Sequence, residues 1–179
     1  MHALIMLSRA IDFVNARLGR VANWMILIAC LISAANAMIR YAFDISSNAW
    51  LEVQWYLFAG VVLLGTSYTL QRNEHVRVDI LYTHLSERGK EWLDLIGTAV
   101  FLLPSCLTIA WLSWPFFYES WHIQEMSTNA GGLLRWPVKI LIPVGFVLLA
   151  LQGLSEMIKR GAALHGDVRY VTHYERPVQ

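Results

Sequence analysis

The residues best equipped for chemistry crowd into "TLQRNEHVRVDILYTHL", residues 69 to 85, which lies between two long apolar runs and carries Arg72, Glu74, His75, Arg77 and Asp79. On a helix, Arg72, His75 and Asp79 share a face at spacings of three and four, close enough to hydrogen-bond with one another. Val78, Leu81, Tyr82 and Leu85 form a second, apolar stripe, the pattern of a short helix lying at a membrane interface. Ser86 suits the N-cap of the next helix, with Glu87 in its first turn and Lys90 four residues before Asp94. Solvated anchoring accounts for Arg88 and Lys90. It accounts less well for "HVRVD", where a His, an Arg and an Asp at alternate positions call for a specific partner each. For Arg77 and Asp79, internal structure is preferred over contact with another protein.

Other chemistry is poorly supplied. Cys30 and Cys106 stand alone in different apolar runs, so no CxxC pair exists for thiol exchange. Haem in a membrane subunit needs axial ligands within its helices. Yet His2, His75, His84, His122, His165 and His173 all fall outside the apolar runs or in their connections. No cofactor is expected. A net charge of +1 offers no uncompensated basic face for phosphates, which argues against nucleic acid as a partner.

The elements that position these residues are membrane helices. The chain is 56% hydrophobic and 15% charged, far from the roughly 25% charged residues of a soluble domain. Crossing a hydrocarbon core takes about 20 apolar residues in a helix, and four spans qualify, near 21–41, 50–70, 92–118 and 136–157. The third is long enough to tilt, with Pro104 positioned to kink it. Pro137 suits a helix start, and Pro143 sits where it would bend the fourth. Lys and Arg concentrate before span one, between spans two and three and after span four, so the positive-inside rule places both termini and the 71–91 connection in the cytoplasm. Trp24 and Trp92 at one boundary, and Trp50, Trp55, Trp121 and Trp136 at the other, fit an aromatic belt. Before the first span, Leu4, Leu7, Ile11, Val14 and Leu18 recur every three or four residues, with Arg9, Asp12 and Arg17 off the stripe. This is read as an amphipathic helix over residues 1–19, ended near Gly19, lying on the inner leaflet or folded against the protein's own spans. Residues 20–160 form the transmembrane domain and 161–179 a cytoplasmic tail. The expected fold is an all-α membrane protein with four tilted transmembrane helices, the N-terminal amphipathic helix and the short interfacial helix between spans two and three.

A carrier acting alone needs polar groups near mid-membrane, commonly on broken helices from paired repeats. The acids near the spans are Glu52 and Asp94, both at span ends, and there is no internal repeat. The polar and small residues inside the spans suit packing instead. Ala29, Ser33 and Ala37 recur every four residues with Asn36 beside them, and Gly60 and Gly65 offer a similar surface in span two, for helices of this chain or of a partner. Arg40 and Glu52, on either side of a short connection, are placed to pair at the outer boundary.

"NAMIRYAF" (36–43), "WLEVQW" (50–55), "LLGTSYTLQRNEHVRVDIL" (63–81), "MST" (126–128) and "IPVGFVLLALQGL" (142–154) together resemble the small membrane subunit of tripartite ATP-independent periplasmic (TRAP) transporters, the DctQ-like family. The likeness runs over roughly residues 20–160. It is most specific at Arg72, His75, Val76, Arg77, Val78 and Asp79, with support from Trp50, Glu52, Ser127 and Thr128. The resemblance implies a non-enzymatic, multi-pass subunit of a sodium-coupled organic-acid importer in a bacterial inner membrane. Its partners would be a large membrane subunit that moves the solute, a periplasmic binding protein that docks transiently, and membrane lipids. The small subunit would brace the large one and bind neither substrate nor metal. Glu119, His122, Glu125, Ser127 and Thr128 then form a candidate docking loop for the binding protein. The competing expectation is a membrane anchor of an enzyme or electron-transfer complex, which a visible absorption spectrum would distinguish.

Overall fold

The computed structural model describes residues 2–45, 47–74 and 85–165. These fold as α1 (His2–Phe43), α2 (Asn48–Gln71), α3 (Glu87–Gly97), a π-helical turn (Thr98–Leu102), α4 (Leu103–His122), α5 (Trp136–Lys139) and α6 (Leu141–Leu164). Four helical stretches are long and apolar enough to cross a membrane: Ala3–Phe43, Asn48–Gln71, Arg88–His122 and Trp136–Leu164. The protein is thus an all-α membrane protein. His75, Arg77, Asp79 and the interfacial helix expected around them lie outside the described residues, as do residues 166–179 of the tail. Of the charged elbow, Arg72 is described: it caps α2, and its guanidinium Nε donates to the Tyr68 hydroxyl at 2.9 Å.

The helix expected to end near Gly19 does not end there. α1 continues for 42 residues, roughly 63 Å at 1.5 Å per residue. A glycine inside a helix costs only about 1 kcal/mol relative to alanine, and Gly19 has a packing role that offsets this. A Cβ on Gly19 would lie 2.7 Å from Cδ1 of Tyr68, so its bare backbone lets α1 and α2 close on each other.

α6 is the hub of the fold. It packs against α1, α2 and α4, whereas α4 packs chiefly on α6. Two close approaches make this possible. A side chain at Gly145 would meet the Leu63 carbonyl oxygen of α2 at 2.7 Å, and one at Gly153 would meet Leu102 at 2.7 Å, where the π turn crosses α6. Ala150, Ser155 and Ala162 continue this buried small-residue face, the usual way helices pack closely in lipid.

The prolines shape the third and fourth spans. Pro104 is the second residue of α4, immediately after the π turn, in which the Leu103 amide reaches back five residues to the Thr98 carbonyl. Proline lacks the amide that would bond the carbonyl four residues back, and its ring crowds that carbonyl. The wider turn relieves both problems. Pro143 acts in the same way on the fourth span: it has no amide for Lys139, and the helix is interrupted at Ile140 between α5 and α6. Pro137 sits in the first turn of α5, where its missing amide is no loss. Ser86 caps α3, accepting from the Gly89 amide at 3.2 Å.

Candidate functional site

Polar side chains gather at opposite ends of the fold. At the end that carries the 123–135 connection, the organising residue is Glu52, one turn into α2 and 3% exposed. Its Oε1 accepts from the Ser127 hydroxyl and from Asn129 Nδ2 at 2.8 Å, and its Oε2 accepts from the Leu133 amide at 2.7 Å. The connection closes as a small hairpin, with the Ser127 amide bonded to the Leu133 carbonyl and the Arg135 amide to the Glu125 carbonyl. α2 clamps it again through Tyr56, whose hydroxyl donates to the Leu134 carbonyl at 2.8 Å, and through Asn48, which donates to Ala130 at 3.1 Å.

The expected Arg40–Glu52 pair is therefore corrected. Glu52 points across to the 127–133 backbone, whose converging donors satisfy the carboxylate. Arg40 stays exposed near the end of α1, with no ion-pair partner among the described residues.

Of the candidate docking residues, Glu119 and His122 stand exposed on the last turn of α4, and Thr128 is exposed at the hairpin. Ser127 is engaged by Glu52, and Glu125 is paired with Lys139, whose ammonium also lies 3.9 Å from the centre of the Phe116 ring. That hydrogen bond from Lys139 is the main cause holding the Glu125 carboxyl below its ordinary value of 4.5. A carboxyl depressed in the folded state contributes stability above its unfolded value and loses it as pH falls through the folded one. Protease access to the hairpin should accordingly stay constant from neutral pH down to the mid-fours and rise only below. In Lys139→Gln the rise should begin at higher pH.

The small-residue track divides between two environments. Ala29 is 1% exposed; Gly60 faces Met25, and Gly65 faces Ala22, across the α1–α2 contact. Ser33 and Ala37 are exposed and Asn36 is half-buried.

The opposite end carries a polar network that the sequence reading missed. Ser8, Asp12 and Asn15 of α1 face Gln152, Ser155, Glu156 and Lys159 of α6. Asn15 donates to Gln152 Oε1 at 2.6 Å, and Gln152 Nε2 donates to Asp12 at 2.9 Å and to Glu156 at 3.0 Å. Ser155 donates to Asp12 at 2.8 Å, its hydroxyl lies 2.7 Å from that of Ser8, and Lys159 pairs with Asp12 at 3.1 Å and with Glu156. Gln71 of α2 joins through the Asp12 carbonyl at 3.1 Å. Beside this network Arg160, 6% exposed, pairs with Asp94 and, at 3.2 Å, with Glu91, tying α6 to α3. The acids near the spans thus include Asp12 and Glu156 besides Glu52 and Asp94. The signal lay in spacing: Ser8, Asp12 and Asn15 recur at four and three, and Gln152, Ser155, Glu156 and Lys159 at three, one and three, one face of each helix.

Chemically, these groups bond to one another across helix contacts, which fixes helix positions. Four apolar spans knotted at both ends by such contacts define a small multi-pass membrane protein whose polar chemistry serves packing. The chain belongs to the family described as "Tripartite ATP-independent periplasmic transporters, DctQ component", which it matches over residues 29–162. It is 32% identical over 96 residues to the C4-dicarboxylate TRAP transporter small permease protein DctQ of Vibrio cholerae, covering 51% of this chain and 41% of that protein. It is 27% identical over 109 residues to a putative TRAP transporter small permease protein of Haemophilus influenzae, covering 61% of this chain and 67% of that one. No solved structure matches. The family is one of transporter components, and the match spans less than half the length of the Vibrio cholerae relative.

Proposed function

We propose that this chain is the scaffold subunit of a sodium-coupled, binding-protein-dependent importer of an organic acid, holding the large TRAP membrane subunit in place. The observation that carries the reading is the family match over 29–162, from within the first span to the last turn of the fourth. The polar networks agree with it, since a frame that resists tilting needs its own helices locked together. In this reading both termini and the charged elbow face the cytoplasm, and the hairpin end faces the periplasm. There Glu119, His122 and Thr128 are free to meet the binding protein, while Glu125 and Ser127 shape the hairpin that presents them. The unpartnered Ser33, Asn36, Ala37 and Arg40 side of α1 is offered to the large subunit. Arg72, His75, Arg77 and Asp79 hold the connection between the second and third spans, and the first 19 residues attend the inner leaflet.

The test is reconstitution. Proteoliposomes holding this chain with its large subunit and binding protein should accumulate an organic acid when a sodium gradient is imposed. The chain alone should accumulate none. Accumulation by the chain alone, or unchanged uptake when it is omitted, overturns the scaffold reading.

A further inference from the structure

The first half of α1 is built inside out for a helix in water. The face it turns to α6 and α2 is polar or bare: Ser8 and Asn15 are each 1% exposed, and Asp12 and Gly19 lie on the same face. Its apolar residues point away from the protein, with Leu4 49%, Leu7 47%, Val14 48%, Met6 65% and Phe13 59% exposed. At 100° per residue, Leu4, Leu7, Ile11, Val14 and Leu18 make one flank, and Arg9, Arg17 and Arg20 the opposite flank. The face packed on α6 lies between the two. All three arginines are exposed. Among the described residues none of them has an ion-pair partner, because Asp12, the one acid on α1, is turned inward to Lys159. Arg17 lies over the Phe13 ring at 4.6 Å, which keeps its guanidinium on the outer surface.

A helix with an apolar flank, a basic flank and a side anchored to a membrane span has the geometry of an element seated at the level of lipid headgroups. We propose that this half of α1 binds anionic phospholipid in the leaflet around the end that carries Asp12 and Lys159. Headgroup phosphates meet Arg9, Arg17 and Arg20, and acyl chains cover Leu4, Leu7 and Val14. Charge complementarity selects the occupant: three uncompensated guanidinium groups beside an apolar strip match a phosphate above a hydrocarbon chain. Nothing here depends on the transporter reading.

The test uses the full chain in nanodiscs of phosphatidylcholine, alone or with phosphatidylglycerol added, and in the mixed discs reads phosphatidylglycerol enrichment around the protein at low and high salt. Wild type should enrich phosphatidylglycerol, and R9Q/R17Q/R20Q should hold it on the order of a hundredfold more weakly, given about 1 kcal/mol for each of the three basic residues near an anionic surface. R9K/R17K/R20K, which keeps the charge, should retain most of it and controls for folding. High salt should reduce the wild-type enrichment toward that of the glutamine variant. Equal enrichment in wild type and the glutamine variant overturns the proposal. So does efficient cross-linking of Leu7→Cys or Val14→Cys to the large subunit in the intact complex, which would show that protein covers this flank.

Discussion

On the proposed scaffold reading, Glu52→Ala should abolish uptake that depends on the binding protein while leaving the four helices folded. The carboxylate is the common acceptor for Ser127, Asn129 and the Leu133 amide, and no other acid of the described residues bonds to those groups. Alanine leaves three donors without an acceptor in a partly buried setting, where an unmet donor is more damaging than a lost bond. The hairpin then keeps its backbone pairing, the Tyr56 and Asn48 clamps and the Glu125–Lys139 pair. Proteolysis within 123–135 should quicken on the order of tenfold, with helix content by circular dichroism unchanged. Glu52→Gln should be intermediate, since an amide has one acceptor oxygen where the carboxylate uses two. If Glu52→Ala cuts no faster than wild type, the carboxylate does not organise the loop.

Lys159→Met should be the most destabilising single change at the other end. It removes the cation that pairs with Asp12 and Glu156, leaving two carboxylates linked through Gln152 with their shared partner gone. Removing one partner of a buried pair costs about 3–5 kcal/mol because a charge is left uncompensated. The expected result is a sharp fall in the amount of folded subunit and of assembled complex, read by size-exclusion fluorescence of a tagged chain. Adding Asp12→Asn and Glu156→Gln to Lys159→Met should restore much of the loss, since the amides still bond to Gln152 without repelling each other. Failure of that rescue would mean that Lys159 acts through packing of its aliphatic stem.

The four spans and the Ser86 cap were legible in the sequence because apolar run length and capping chemistry are local signals. Pro104 and Pro143 were legible as sites of disturbance, although their form, a π turn and a one-residue break, depends on how neighbouring helices accommodate the missing amides. The helix boundary expected at Gly19 shows the limit: whether a glycine stops a helix or opens room for a neighbour depends on Tyr68, forty-nine positions away. The Arg40–Glu52 pairing failed for a similar reason. Proximity across a short connection favours it, but the donors that capture Glu52 come from 127–133, and only the folded chain brings them near. In the first half of α1 the apolar periodicity marks a stripe that faces outward, whereas the packing face is marked by the polar periodicity of Ser8, Asp12 and Asn15.

The central position of α6 bears on how the subunit comes to exist. It is the last of the four spans to leave the ribosome, yet it is the one that the other three are arranged around. Until it enters the bilayer, Asp12 has no Lys159 and the pair Glu91 and Asp94 has no Arg160. α1 and α2 can close on each other before then through Gly19, Gly60 and Gly65, but the polar contacts that join α1 and α3 to the last span form only late in synthesis. A chain cut short before residue 152 would lack the α6 groups that meet Ser8, Asp12 and Asn15, so such truncations should be cleared by membrane quality-control proteases instead of surviving as partial subunits.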